Sequence, residues 1–323
     1  MRVFVTGGNG FIGSRVCERL HAEGHQIRCL LRKHSKTHRI DHLPFETHMG
    51  DVRDADSMVE GLSGCDAVIH LASLSAWEQI RSPLMHEIVI DGTTNVCTAA
   101  MKAGNLRTVF VSSVVAVGGT DTPEVQTEES SFSLPAEPFV YGNAKSEAET
   151  ICRQYAADGL PVLIVNPCEV YGPQDDDLIT ASYLIDALVD WPAMSVQGGT
   201  AVAHVEDIAG GIVAALTRGR PGERYILGGE NLTVRQVIDL TLQIGGKPDK
   251  FVLQLPNGLV SAVINAMAKL RLPTPVHPDL LAHAVKFWWV DCQKAKDELG
   301  YTHRSAKEAL EDVVGWLKET GRV

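Results

Sequence analysis

The chain has 323 residues, a mass of 35.0 kDa and a formal net charge of −11 at pH 7. This length is enough for one large domain and a smaller associated region that share a sizeable buried core. An acidic chain of this kind argues against nucleic acid or an anionic membrane as a partner.

Strand and helix patterns alternate along the chain, which predicts an α/β fold with a doubly wound, Rossmann-type parallel sheet. We predict helices around residues 83–103 and 140–155. The alternation loosens after Asn166. We therefore assign residues 1–166, with a returning segment near 198–228, to the domain of this sheet, and residues 167–197 and 229–323 to a smaller C-terminal region. The strands are predicted at Arg2–Thr6, Gln26–Leu31, Phe45–Met49, Ala67–Leu71, Thr108–Ser112 and Val162–Asn166.

A glycine-rich segment, TGGNGFIG, joins the first predicted strand to the first predicted helix. Glycine allows a sharp turn and lets a pyrophosphate approach the amide groups at a helix N-terminus. The spacing is G-x-x-G-x-x-G rather than the usual G-x-G-x-x-G, so a purely structural turn is the alternative for this motif alone. We expect a dinucleotide to contact Gly7, Gly10, Phe11, Ile12 and Gly13.

The second predicted strand is followed by the basic run Arg32, Lys33, His34, Ser35 and Lys36. An acid at this place would accept ribose hydroxyls and repel a phosphate, whereas an arginine binds a phosphate through its planar fork. The run therefore predicts NADP as the cofactor, with NAD less favoured. A solvated basic turn is the alternative.

Tyr141 and Lys145 form a YxxxK signature. Residues four apart lie on the same face of a helix, so the phenol and the ammonium project into a common space. A nearby positive charge lowers the pKa of a tyrosine, which is ordinarily about 10. The pair is thus suited to exchange a proton with a carbonyl or an alcohol.

These motifs occur in one order with Ser112-Ser113, Asn166-Pro167, Tyr171-Gly172-Pro173 and His204-Val205-Glu206-Asp207. That order resembles the extended short-chain dehydrogenase/reductase family, in the NAD-dependent epimerase/dehydratase superfamily. The stretch GERYILGGEN at 222–231 resembles the branch of dihydroflavonol-4-reductase-like proteins and hopanoid-associated sugar epimerase homologues. The resemblance implies three catalytic residues: Ser113 holds the substrate oxygen, Tyr141 exchanges the proton, and Lys145 lowers the tyrosine pKa and binds the nicotinamide ribose.

The resemblance also implies that residues 1–166 with the returning segment form an NAD(P)-binding domain and that the smaller C-terminal region binds the substrate. It implies further contacts as well. Cys168 and Glu169 follow Asn166-Pro167 in the chain, close to where the nicotinamide is expected, and are candidates for binding substrate. The other candidates are Ser113 and Trp77, the latter in an uncharged loop. Many family members carry a small hydroxyl residue near the position of Cys168, so the resemblance does not determine the hydrogen bonds at this position. The other expected cofactor contacts are Asp51 and Val52 at the adenine edge, Leu71, Ala72 and Ser73 at the ribose and pyrophosphate, and Ser112 and Pro167 near the nicotinamide.

Three functions are compatible with these residues. The first is an NADP-dependent reductase of a ketone or aldehyde, acting on a largely apolar small molecule. The second is a sugar-nucleotide epimerase or dehydratase with tightly bound NAD(P), and the third is a cofactor-binding regulator without catalysis. A sugar diphosphate requires cations, and residues 174–200 contain no Lys or Arg, which favours the reductase.

The remaining expectations concern surroundings and partners. Seven scattered cysteines without a CxxC pair indicate reduced thiols, and Met1 leads directly into the first strand, so we expect a cytoplasmic protein. We expect no metal, because the helically spaced His34, His38 and His42 lack a matching Cys or carboxylate cluster. A homodimer follows from the family resemblance. The apolar stripe of residues 259–267 either packs on the main domain or lines the cleft.

Overall fold

The computed structural model describes residues 1–74 and 79–323. Its strands are β1 (Arg2–Thr6), β2 (Gln26–Leu31), β3 (Glu46–Met49), β4 (Ala67–His70), β5 (Arg107–Val111), β6 (Val162–Pro167), β7 (Glu169–Tyr171), β8 (Ala193–Ser195), β9 (Gly199–His204), β10 (Arg224–Leu227), β11 (Glu230–Thr233), β12 (Val252–Gln254) and β13 (Phe287–Trp288). Its α-helices are α1 (Phe11–Ala22), α2 (Ala55–Leu62), α3 (Gly92–Lys102), α4 (Val140–Ala157), α5 (Ser182–Val189), α6 (Val205–Arg218), α7 (Val234–Gly245), α8 (Asn257–Lys269), α9 (Pro278–Ala284), α10 (Gln293–Leu299) and α11 (Ala306–Glu319). A π-helical turn, His86–Asp91, runs into α3, and a short 3-10 turn, Val114–Ala116, follows β5.

Seven parallel strands form the main sheet, in the order β10-β6-β5-β4-β1-β2-β3. The predicted doubly wound fold is confirmed. The strand order reverses between β1 and β4, and in such sheets the crevice outside the carboxyl ends of the strands at this point binds ligands.

Alternate side chains of the central strands enter two separate apolar layers. Val3 and Val5 of β1 join the layer of α1 and α6, which contains Val16 and Ile212. Phe4 points the other way and joins the layer of α2, α3 and α4. Successive residues of a strand face opposite sides of a sheet, so a strand covered by helices on both sides must be apolar throughout.

A second sheet is formed by strands from the C-terminal half of the chain. Its strand β9 pairs antiparallel with β11 and parallel with β7 and β13. Helices α5, α7 and α11 bury an apolar core against it, which includes Tyr171, Val202 and Leu310. Strand β8 pairs with β12 in a separate two-stranded ribbon. Strand β6 continues almost directly into β7, so the chain passes at this point from the main sheet into the second sheet.

Helix α8 divides the predicted apolar stripe between two faces. Ile264 is buried, whereas Leu259 and Val263 are exposed. At about 100° of turn per residue, Leu259 and Val263 lie well off the line through Ile264. Only part of the stripe therefore packs on the protein. Within residues 1–74 and 79–323, no helix is both long enough and apolar enough to cross a bilayer.

Candidate active site

The glycine-rich turn lies between β1 and α1, at the switch in strand order. Gly7 adopts a φ of 71°, which favours glycine. A Cβ on Gly13 would overlap the Gly7 carbonyl oxygen, so the helix can approach the turn this closely only with glycine at that position. Gly10 caps α1 without a side-chain hydrogen bond, and the first turn holds no acid. The half-buried Phe11 and Ile12 begin the helix. The amide groups of this turn thus form a cradle suited to an anion.

The basic run after β2 is exposed and fixed by local hydrogen bonds. The backbone N–H of Arg32 donates to Ser35 Oγ over 2.9 Å. Asn9, in the glycine-rich turn, donates from Nδ2 to the carbonyl oxygen of Lys36 over 2.9 Å. The run therefore lies against the turn. The guanidinium of Arg32 is exposed and available to an added phosphate.

Arg39, which the sequence analysis missed, connects the segment after β2 to the loop that follows β7. It is 7% exposed and forms a 2.9 Å ion pair with Asp176. Its Nε also donates to the carbonyl oxygen of Gln174. No local pattern marked this arginine, because both partners lie more than a hundred residues away in sequence.

Asp51 and Val52 follow β3, as expected for the adenine edge. Arg53 forms hydrogen bonds to the carboxylate of Asp51 and lowers its pKa, and Arg32 adds to that effect. Val52 is buried, and its carbonyl oxygen accepts from Asn95 Nδ2 over 2.9 Å. Arg32 and Asp51 therefore lie on adjoining strand ends.

Leu71, Ala72 and Ser73 leave β4 beside the glycine-rich turn. The backbone N–H of Leu71 donates to the carbonyl oxygen of Thr6, and that of Ala72 donates to Thr6 Oγ1. A Cβ on Gly7 would press against the backbone of Ala72. This segment thus closes one wall of the cradle. Trp77 lies outside the described residues.

A buried histidine supports this wall. His70 Nδ1 lies 2.7 Å from Thr6 Oγ1, and its Nε2 lies 3.2 Å from Thr93 Oγ1. Thr93 donates its own hydroxyl proton to the Val89 carbonyl oxygen, so Nε2 carries the ring proton. Burial lowers the pKa of His70 to about 3, with a smaller contribution from Lys145. The imidazole is therefore neutral.

Tyr141 stands at the start of α4 with two serine hydroxyls around its phenol. Burial raises the pKa of Tyr141 to about 12, and the hydroxyls of Ser73 and Ser113 oppose that rise. The direction is opposite to the one predicted from the YxxxK pattern, because burial outweighs the favourable contacts. Ser113 lies after the end of β5 and accepts a hydrogen bond from the Val115 N–H. The structure thus brings Tyr141 and the predicted catalytic serine together.

Lys145 lies one helical turn beyond Tyr141 and is 2% exposed. Its Nζ donates to the carbonyl oxygen of Val111 over 3.0 Å and lies 5.9 Å from the centre of the Tyr141 ring. Burial lowers the pKa of Lys145 to about 8, and Glu149 opposes that change. A lysine with this pKa is mostly protonated at neutral pH.

Ser112 takes a structural position behind the reaction centre. It is buried and donates from Oγ to Glu149 Oε1 over 2.7 Å. Asn166 Nδ2 donates to the same carboxylate oxygen over 2.6 Å and to the Ser113 carbonyl oxygen over 2.8 Å. Sequence reasoning missed Glu149, although it continues the four-residue spacing of Tyr141 and Lys145 along α4.

Pro167 and Cys168 stand where the main sheet meets the second sheet. Pro167 ends β6 beside Leu227 of β10, and the N–H of Cys168 donates to the Leu227 carbonyl oxygen. Burial raises the pKa of the Cys168 thiol, so it is not a reactive thiolate.

Glu169 begins β7 and faces hydroxyl groups. Burial raises the pKa of Glu169, while hydrogen bonds with Thr200 and Tyr171 oppose the rise. Tyr171 in turn shares a hydrogen bond with Tyr183. This polar cluster belongs to the second sheet and the adjoining helix α5.

Two histidines near the basic run lie beside carboxylates. His38 lies 3.0 Å from Asp176 and His42 lies 3.3 Å from Glu18. In the described part of the chain, no group of three or more His, Cys, Asp or Glu side chains is arranged to hold a metal ion.

A dinucleotide cofactor fits the residues present. The uncapped first turn of α1 would hold the pyrophosphate, and Arg32 a phosphate on the adenosine ribose. Tyr141 and Lys145 would lie at its nicotinamide end. The cradle that a Cβ on Gly13 would fill is the structural observation behind this fit.

Comparison with known proteins gives consistent results. The model of the NAD dependent epimerase/dehydratase family matches residues 3–228. A protein from Synechocystis named putative dihydroflavonol 4-reductase is 32% identical, over 99% of this chain and 95% of the relative. A Stigmatella aurantiaca protein named 4-hydroxy-2-methyl-3-oxo-4-farnesyl-3,4-dihydroquinoline-1-oxide ketoreductase is 30% identical, over 96% of each. Among solved structures, a double mutant of DesIV, a dTDP-glucose 4,6-dehydratase from Streptomyces venezuelae with NAD and DAU bound, is 27% identical with a TM-score of 0.80, covering 99% of this chain and 97% of that one.

Proposed function

The chain belongs to the NAD dependent epimerase/dehydratase family of extended short-chain dehydrogenases/reductases, and from this premise we propose that it is an NADP-dependent oxidoreductase. The reaction interconverts a carbonyl group and a secondary alcohol on a largely apolar small molecule. One observation carries the proposal: the Tyr141 phenol has the hydroxyls of Ser73 and Ser113 around it and the buried ammonium of Lys145 one helical turn away.

In the reducing direction, Ser113 holds the substrate oxygen and Tyr141 donates its phenolic proton to that oxygen. The ammonium of Lys145 stabilises the phenolate that forms. Asn166 holds the Ser113 backbone through its 2.8 Å hydrogen bond to the carbonyl oxygen. A bound nicotinamide supplies the hydride for reduction and accepts it for oxidation.

The preference for NADP rests on Arg32. Its guanidinium is exposed after β2, within a run that contains no acid, and the run is fixed against the glycine-rich turn through Asn9 and Lys36. A guanidinium can bind a ribose phosphate through two parallel hydrogen bonds. NAD lacks that phosphate and gains nothing from this arginine.

Arg32→Ala is expected to weaken NADPH binding by roughly 1.5 to 3 kcal/mol, the range for hydrogen bonds to charged groups. This corresponds to about a 10- to 150-fold rise in Kd. NADH binding should change little in the same variant. Fluorescence titration of both cofactors measures the effect, with Arg19→Ala as the matched control because that exposed arginine on α1 pairs with Glu23. Tighter binding of NAD than of NADP by the unmodified protein would refute the preference.

The proposal of an apolar substrate rests on the distribution of cationic side chains. Residues 174–200 contain no Lys or Arg. Arg81, which follows the undescribed residues 75–78, is neutralised by a two-pronged hydrogen bond to buried Asp279 and by Glu137. A sugar diphosphate buried without free cations would be costly. The name of the Stigmatella aurantiaca ketoreductase describes a substrate with a farnesyl group. This relative therefore supports an apolar ketone as the substrate here.

The proposed activity is tested by incubating purified protein and NADPH with apolar ketones and aldehydes, and separately with UDP- and GDP-sugars. We expect NADPH consumption with members of the carbonyl panel and no micromolar binding of the sugar nucleotides. Binding of a UDP- or GDP-sugar at micromolar concentration, without binding or turnover of any carbonyl compound, would replace the reductase by the alternative below.

The alternative is a sugar-nucleotide epimerase or dehydratase with tightly bound NAD(P). The similarity to DesIV over nearly the whole chain favours it, because the same tyrosine and lysine can oxidise a sugar hydroxyl transiently. A catalytic protein of this kind retains its cofactor through purification. The absorbance of the isolated protein shows whether a dinucleotide is bound and so distinguishes the two functions. The regulator without catalysis is disfavoured by the assembled Ser113, Tyr141 and Lys145.

Two further properties belong to the proposal and rest on the family resemblance and the sequence alone. One is a homodimer formed through the helices that include α4. The other is a cytoplasmic location.

A further inference from the structure

Helix α4 carries a third chemical group in line with the two catalytic ones. Tyr141, Lys145 and Glu149 follow each other at four-residue intervals, so they occupy successive turns of one helix face. Glu149 is 0% exposed. A buried carboxylate is costly unless other groups compensate it, and its neighbours therefore indicate what it does.

Four donors surround the Glu149 carboxylate. Its Oε1 accepts from Ser112 Oγ over 2.7 Å and from Asn166 Nδ2 over 2.6 Å. Its Oε2 accepts from Arg153 over 2.8 Å and from Arg224 over 2.6 Å. These donors come from the end of β5, the end of β6, the next turn of α4 and the start of β10. Glu149 thus joins three neighbouring strands of the main sheet to the catalytic helix.

Two routes connect this carboxylate to the reaction centre. The first is mechanical: Asn166 uses one amide hydrogen on Glu149 and the other on the Ser113 carbonyl oxygen. The second is electrostatic: Glu149 favours the protonated form of Lys145, against the burial that disfavours it. Neither route involves contact between Glu149 and a substrate.

We propose that Glu149 is a positioning residue: its carboxylate acts by charge on the Lys145 ammonium one helical turn away, and its hydrogen bonds fix the end of β5 at Ser113. The inference rests on the proposed function in assigning Lys145 and Ser113 to the reaction. The charge effect itself is a property of the folded protein and can be measured without turnover.

The other titratable groups around the two residues do not replace Glu149. His70, on β4, remains neutral because its pKa lies at about 3. Burial raises the pKa of Cys152, which therefore stays a neutral thiol at neutral pH. The groups that face Lys145 or Glu149 are Tyr141, Cys152 and Arg153 on α4, His70 on β4, Cys97 on α3 beside Cys152, and Arg224 on β10.

The test is Glu149→Gln, read first through the titration of Lys145. The protein is labelled with 13Cε-lysine, and the Lys145 signal is assigned by its loss in Lys145→Arg. In the parent protein we expect a midpoint near the pKa of about 8. In Glu149→Gln the midpoint should fall by about 1 pH unit, since a charge at this range commonly changes a pKa by about 1 to 3. Glu147→Gln, which removes an exposed carboxylate from the same helix, should leave it unchanged.

The second readout is the pH dependence of carbonyl reduction by NADPH. Reduction needs Tyr141 and Lys145 both protonated, so activity is present at low pH and is lost as pH rises through the lower of the two pKa values. Removing a nearby negative charge lowers both values, so the alkaline limb of log kcat should move to lower pH in Glu149→Gln. A purely structural role would lower kcat and leave the limb in place. Glu149→Asp, which retains the charge, should restore the position of the limb.

The outcomes separate the inference from the proposed function. A lowered Lys145 midpoint without any turnover in parent or variant supports the charge effect and rejects the reductase. An unchanged midpoint in folded Glu149→Gln overturns the inference, whatever the activity. If Glu149→Gln does not fold, Arg153→Gln takes its place: it removes a cation that partly neutralises Glu149, so the Lys145 midpoint should rise, and an unmoved midpoint there overturns the inference.

Discussion

Tyr141→Phe is expected to lower kcat for carbonyl reduction by at least about 10²-fold, the lower range for loss of a positioned general acid. The variant deletes the phenolic proton and leaves the aromatic ring, so NADPH affinity should stay nearly unchanged. Stopped-flow or steady-state NADPH oxidation gives kcat, and fluorescence titration gives the cofactor Kd. A loss of kcat alone would show that the hydroxyl acts in the chemical step.

The matched control is Tyr155→Phe, on the same helix. Its hydroxyl forms a 2.6 Å hydrogen bond with Thr98, away from Ser73 and Ser113. This variant should keep the parent's kcat. Activity of Tyr141→Phe within threefold of the parent would end the assignment of Tyr141 as the acid.

Lys145→Met provides a contrast, because it should harm both kcat and NADPH affinity. The ammonium that stabilises the phenolate is also the group expected to contact the nicotinamide ribose. Unchanged cofactor affinity in this variant would remove the ribose role and leave only the electrostatic one.

The features that local sequence determines were predicted well. Strands β1 and β2 have the predicted bounds. In β1 a continuous apolar run lies between polar residues, as expected for a strand buried on both faces, and in β2 only Arg28 interrupts the apolar residues. The strand-to-helix switch at Gly7 to Gly13 was equally clear, since glycine at that place has a direct steric cause. The alternation of strands and helices then left few topologies open.

The features that were missed depend on contacts between distant segments. Arg39 pairs with Asp176, and three of the four donors to Glu149 come from other parts of the chain, so these contacts could not be read from a local pattern. The pKa of Tyr141 was predicted in the wrong direction for a related reason. Lys145 is visible in the sequence, whereas the burial that raises the pKa of Tyr141 is a property of the assembled fold.

One signal for Glu149 was available. Its spacing from Lys145 repeats the spacing of Lys145 from Tyr141, and an acid on the buried face of a helix requires partners. The packing of α8 was harder to predict, because its apolar residues alone do not determine which of two adjoining faces is buried.

Gly13→Ala is the second substitution with a large expected effect. The new Cβ would overlap the Gly7 carbonyl oxygen, and the backbone of Gly8 leaves no room on the other side. Helix α1 must then move away from the turn, at a cost of about 1 to 3 kcal/mol in the free energy of unfolding, as for other overpacked sites. The same movement separates the amide groups that would bind the pyrophosphate, so NADPH affinity should fall at least about 10-fold, which corresponds to about 1.4 kcal/mol.

Gly210→Ala is the matched control for this prediction, because it also adds a methyl group to a helical glycine. A Cβ at Gly210 of α6 meets no atom within 4 Å, so this variant should fold with unchanged or slightly greater stability and bind NADPH as the parent does. Urea unfolding and NADPH titration of the two variants decide the matter. If Gly13→Ala matched Gly210→Ala in both measurements, the close approach of α1 to Gly7 would not be what forms the cofactor cradle. If only Gly13→Ala loses affinity, the glycine is required by the contact between helix and turn and not by helix flexibility.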